Sequence, residues 1–294
     1  MFPVFDSVDS GQVGGHPVRL SGLWLWLSLT AVLLAAAGSV AGLLASDSVY
    51  DQETLALADA SAAQDIVNLV LVAPLMAALA VGASRGSLRA YLCWLGLVAF
   101  TVYNYAIYAF AIHFGPLFLV WVAVLGLSLF ALIGGLSTLG ATAVEARFAE
   151  RATPMPGWFL IVVGALFVVL WLGEIVPDVL AGDPSSSASD WNTPTNPVHV
   201  LDLAFFLPAV LASGVLLLRR HRLGYATAAG QLTWIALTCL PILVTPLVAN
   251  ARGHEPGWAV VPPISILCIL TVAVLVLLLR QVRTSPAPAP DEVR

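Results

Sequence analysis

Three pairs of polar side chains in this sequence stand at helical spacing inside apolar surroundings. Glu174 and Asp178 are four residues apart, His199 and Asp202 three, and Asp65 and Asn68 three. On a helix, such separations put both members of a pair on one face. Imidazole and carboxylate groups on one face can hold zinc, iron or manganese, which makes His199, Asp202 and Glu174 the candidate metal set. The same groups can instead relay protons, because burial and neighbouring charge shift their proton affinity. Tyr103, Asn104, Tyr105 and Tyr108 form a polar run, YNYAIY, shortly before His113. That run can line a polar cavity or hold a ring-shaped ligand. Plainer roles compete at each position. Asp65 and Asp202 stand near the starts of their apolar runs, where a carboxylate caps free N–H groups and complements the helix dipole. His113 fits an interfacial position, and the tyrosines fit helix packing.

The elements that would carry these groups are apolar runs of membrane-spanning length. Hydrophobic residues are 60% of the 294 positions and charged residues 10%, with mean hydropathy +0.94. A soluble domain is about a quarter charged. About 20 apolar residues in helical form cross a bilayer core of roughly 30 Å. Eight such helices are expected, near Gly22–Leu44, Gln64–Ala83, Ala90–His113, Pro116–Gly140, Gly157–Leu180, Val198–Leu218, Leu223–Val248 and Trp258–Leu279. The expected fold is an all-α polytopic transmembrane bundle, since backbone polar groups in lipid must bond within their own segment. Residues 182–196 read as a loop, and Ser285 to Pro290 as a Pro/Ala tail without periodicity. The first helix is too long for a signal-peptide core and reads as retained.

Several functions are excluded or unsupported. The sequence has no lysine, so no Schiff base to retinal can form. Cys93, Cys239 and Cys268 lie in separate apolar runs without CxxC spacing, which suits packing rather than a disulfide or zinc framework. No Walker A loop, GxGxxG, HExxH or GxSxG occurs, and nothing points to nucleic acid. The residues name no cofactor.

Charge placement sets the expected orientation. Eleven of the twelve arginines (Arg19, Arg85, Arg89, Arg147, Arg151, Arg219, Arg220, Arg222, Arg280, Arg283 and Arg294) fall in alternate gaps, and only Arg252 in the others. The positive-inside rule puts the eleven and both termini in the cytoplasm of a cytoplasmic-membrane protein. Asp47, Asp51, Glu53, Asp59, Asp183, Asp190 and Glu255 then face outward, and the candidate polar groups gather in the outer part of the membrane.

The halves also resemble each other at an offset of 134 residues. DIVNLVLVAP from Asp65 aligns with HVLDLAFFLP from His199, setting Asn68 against Asp202 and Pro74 against Pro208. A four-plus-four duplication is expected, with residues 22–140 and 157–280 as parallel repeats. Residues 1–21, 141–156 and 281–294 would be cytoplasmic tail, linker and tail. Parallel repeats place sites where the halves meet. The favoured reading is a membrane protein that binds or transports a small solute or cation. Glu174, Asp178, His199, Asp202, Asp65 and Asn68 would form its site, with Tyr103, Asn104, Tyr108 and His113 nearby. An intramembrane metal- or quinone-dependent enzyme and a scaffold contacting only lipid and neighbours are the alternatives.

Overall fold

A computed structural model describes residues 22–148 and 154–283. Among the described residues, eight helices are long and apolar enough to cross a membrane. They are α1 (Gly22–Leu44), α2 (Leu55–Ser84), α3 (Leu88–Ala111), α4 (Phe118–Thr138), α5 (Met155–Ala181), α6 (Pro197–Leu218), α7 (Arg222–Ala251) and α8 (Trp258–Arg280). No β-strand forms among the described residues. The chain is a multi-pass all-α membrane protein. Arg19, Arg151 and Arg294 lie outside the described residues, as do the expected N-terminal tail, most of the expected C-terminal tail and part of the linker, so their expected placement is not addressed.

Most helix ends fall within a few residues of expectation, and the exceptions have local causes. Helix α2 begins at Leu55, nine residues before Gln64, with the Thr54 hydroxyl accepting from the Leu57 N–H at 3.3 Å. The Ala-rich stretch LALADASAAQ is a strong helix former, and its polar residues Asp59, Ser61 and Gln64 are buried against protein. Asp65 is therefore deep inside a helix and caps nothing. Asp202 likewise sits past the first turn of α6, whose N-cap is Asn196. The loop at 182–196 contains a short helix, Ser186–Asp190, capped by Ser185. Helix α3 stops at Ala111, which puts His113 in a connection.

Two π-helical turns interrupt the spans, at Asn68–Val72 in α2 and Asp202–Phe206 in α6. Each opens on a polar residue and is followed by a proline, Pro74 or Pro208. Proline has no N–H and its ring crowds the carbonyl four residues back, at Val70 or Ala204. The wider π turn absorbs that conflict, and such turns cluster at functional sites. The two turns are separated by the same 134 residues as the sequence match.

Helices α3 and α7 form the centre and cross where Gly96 meets Gly230, a pair again 134 apart. Around them, α1 lies along α4, α5 packs on α6, and α8 packs on α7. The outer ring is uneven. Helices α1 and α4 are in extensive contact, whereas α5 and α8 barely touch and are the least buried spans. Their outward residues, including Val162, Leu166 and Val169 on α5 and Ile266 and Ile269 on α8, suit a lipid-facing surface.

The two ends differ in chemistry. At the arginine-rich end, Arg89 donates to the Val282 carbonyl at 2.6 Å, and the Arg283 N–H donates to the Arg147 carbonyl at 2.7 Å. At the acidic end, the buried Asp59 carboxylate holds Arg252 at 3.0 Å and His254 at 2.7 Å. This clamp ties α2 to the end of α7. Asp59→Asn should cost about 1–3 kcal/mol, the worth of hydrogen bonds to a charged group, read as a lower melting temperature in detergent. An unchanged melting temperature would show that the clamp is ornamental.

Candidate functional site

The splayed helices α5 and α8 wall a cleft of about 410 Å³, inside the roughly 300–1,000 Å³ range of small-molecule sites. Phe167 and Trp171 of α5 face Ile264 and Leu267 of α8 across it. Ser61 and Gln64 of α2, Tyr103, Asn104 and Tyr108 of α3, Asp202 of α6 and Trp234 of α7 are among the other wall residues that carry polar groups. The lining is overwhelmingly apolar and aromatic. Among the described residues it contains one carboxylate, Asp202, and no Arg or His.

The π turn brings Asp202 to this cleft. One carboxylate oxygen, Oδ2, accepts from the Trp171 indole N–H at 2.8 Å, which joins α5 to α6. The Tyr103 hydroxyl lies near the same carboxyl group. Oδ1, however, is buried without a hydrogen-bond partner. Two more wall residues carry unpaired buried atoms, Gln64 at Oε1 and Trp234 at Nε1. Buried polar atoms are nearly always paired, so three exceptions in one cleft wall are unspent hydrogen-bonding capacity. Tyr103 and Trp234 meet edge to face at 5.4 Å, and Phe206 stacks on Trp234 at 4.8 Å. Tyr103 and Trp234 thus give the cleft wall an aromatic cluster, backed by Phe206.

The other expected residues divide sharply. His199 is buried with its ring 4.6 Å from Trp171, and its Nε2 stands 3.7 Å from Glu174 Oε2, beyond hydrogen-bond length. Glu174 is partly exposed. Asp178 accepts from the Ser186 N–H at 3.0 Å and hydroxyl at 3.3 Å, which makes it a loop anchor. His113 is committed to Glu53, whose carboxylate also accepts the His113 backbone N–H at 2.8 Å. No three His, Cys, Asp or Glu side chains are grouped to hold a metal among the described residues. His199, Asp202 and Glu174 thus do not form one ligand set.

Asp65 and Asn68 lie behind the cleft, not in it. Asp65 Oδ2 accepts from the Tyr50 hydroxyl at 2.7 Å, and Oδ1 stands 3.2 Å from the Tyr108 hydroxyl. Burial, reinforced by the adjacent carboxylate, raises the Tyr50 pKa far above its ordinary value, so this phenol remains a donor. Asn68 accepts from Gln64 at 2.8 Å and donates to Ser39 at 3.1 Å. Asn104 turns its amide back onto the Phe100 carbonyl at 2.9 Å while lining the cleft.

Sequence reasoning missed Gln64, Tyr50, Trp171 and Trp234. Gln64 did leave a signal, since it precedes Asn68 by four residues on the same helical face. Trp171 reads as an interface-belt residue yet is a hydrogen-bond partner of Asp202. Trp158 and Trp258 are exposed, as belt residues should be. Against known proteins, the chain matches no family model, no curated protein and no solved structure.

Proposed function

We propose that this membrane protein binds a small amphiphilic amine in the cleft between α5 and α8 and passes it across the bilayer. One observation carries the reading: a single buried carboxylate stands in an apolar, aromatic cleft that has no cationic side chain among the described residues. An ammonium group would pair with Asp202, and the faces of Trp171, Trp234 and Tyr103 would attract the same charge. Gln64 Oε1 would take a second donor, and Trp234 Nε1 would serve an acceptor such as a neighbouring hydroxyl. The hydrocarbon part would occupy the apolar remainder. Entry from lipid is supported by the gap between α5 and α8.

The arginine-rich end is assigned to the cytoplasm, which puts the cleft toward the outer side. The fold is assigned to two parallel four-helix repeats. Equal spacing of the π turns supports this, as does the Gly96–Gly230 contact, because a two-fold axis brings equivalent residues together.

Octylamine, octanol and octanoate share a tail and differ in head group. Titrated into the purified protein in nanodiscs, they should bind in that order, with octanoate undetectable. Equal binding of all three, or preference for octanoate, would overturn the amine reading.

A further inference from the structure

The cage around Asp65 belongs to no part of the cleft, yet it touches the cleft through two residues. Asp65 has three hydroxyl neighbours that can hydrogen-bond to it, Tyr50, Ser39 and Tyr108. Tyr50 donates its one proton to Oδ2 at 2.7 Å. Tyr108 also has one proton but two acceptors in reach, the Ser61 carbonyl at 3.0 Å and Asp65 Oδ1 at 3.2 Å. An ionised Asp65 would compete with Ser61 for that proton. It would also carry a full charge in the membrane interior without a cation, which is costly. A neutral acid removes the competition for the Tyr108 proton. Tyr50 donates to Oδ2, the acid O–H on Oδ1 donates to Tyr108 Oη, and Tyr108 donates to Ser61.

The surroundings supply no counter-charge. Helix α1 offers Ser39 and Gly42, and a Cβ at Gly42 would strike both Asp65 Oδ2 and the Tyr50 hydroxyl. Helix α3 presents Tyr105 and Tyr108, stacked at 5.4 Å. The connection from α1 to α2 presents Tyr50. Just beyond the end of α7, the basic groups are Arg252 and His254, both bound to Asp59. Asp59 is about 9 Å along α2 from Asp65 at 1.5 Å per residue.

We propose that Asp65 is a proton-binding site, linked through Tyr108 to whatever occupies the cleft. Tyr108 and Ser61 both line the cleft, so an occupant that draws the Tyr108 hydroxyl aside removes the acceptor of the Asp65 proton. The ammonium ion also brings a positive charge beside the cage, which favours the carboxylate form, and the acid releases that proton to solvent. With an ammonium ion entering and a proton leaving, the net charge of the membrane interior is unchanged, and the protein is an amine–proton exchanger. The coupling rests on the amine reading; the proton site does not.

Infrared spectroscopy of the purified protein tests the site directly. The wild type should show the carbonyl band of a protonated carboxyl group at neutral pH, lost in Asp65→Asn and moved in frequency in Tyr108→Phe. A spectrum in that region unchanged by Asp65→Asn would overturn the proposal. Coupling is read with a pH-sensitive dye. Octylamine should release one proton per molecule bound in the wild type and none in Asp65→Asn, and binding without release in the wild type would overturn the exchange. If the Asp65 band is present but octylamine does not bind the wild type, the proton site stands and the amine reading falls.

Discussion

Asp202→Asn is expected to weaken octylamine binding at least about 30-fold, corresponding to about 2 kcal/mol or more. Asparagine keeps the shape of the side chain, and its carbonyl oxygen can still accept from Trp171 across the 2.8 Å contact. The link between α5 and α6 should therefore survive, with melting temperature near that of the wild type. What disappears is the only charge in the cleft wall able to pair with an ammonium ion. Octanol, which needs an acceptor rather than a counter-ion, should lose much less. Isothermal titration of both ligands against both proteins separates these effects. Retained octylamine affinity in a well-folded Asp202→Asn protein would remove Asp202 from the binding site.

The second large effect is on stability. At the crossing of α3 and α7, a Cβ on Gly96 would run into the Gly230 carbonyl oxygen and the Thr233 Cβ. Backbone atoms cannot rotate away, so the two central helices would have to separate. Gly96→Leu should therefore cost more than the about 1–3 kcal/mol typical of overpacking and should lower the melting temperature by several degrees. Gly126 of α4 is the matched control, because a Cβ there meets nothing within 4 Å. Gly126→Ala should be neutral or slightly stabilising, since alanine is the better helix former. Equal melting temperatures for Gly96→Leu and wild type would mean that the crossing is not a tight contact.

The contrast between these glycines marks what could be read in the sequence. Span positions were legible because bilayer thickness imposes one length on every apolar run, and α1 runs over the expected residues. The start of α2 was not, because Asp59, Gln64 and Asp65 look like water-facing residues until their partners on other helices are known. Glu174 and Asp178 illustrate the same limit. Both are acids near one helix end, but only the tertiary arrangement turns Asp178 to the 186 loop and leaves Glu174 near His199. Asp202 could be singled out because an acid past the start of an apolar run is costly. Its indole partner could not, since Trp171 and Trp158 differ only in depth and rotation. The cleft itself arises from how far apart α5 and α8 stand, a quantity that no local pattern encodes.

That separation also decides which concentration the protein experiences. A site fed through a gap in the outer helices equilibrates with solute dissolved in hydrocarbon, not with solute in water. Apparent affinity should then rise with the partition coefficient, and lengthening an alkylamine by one methylene should tighten binding measured against aqueous concentration even if the cleft gains no contact. Lipid composition thereby becomes part of the binding constant.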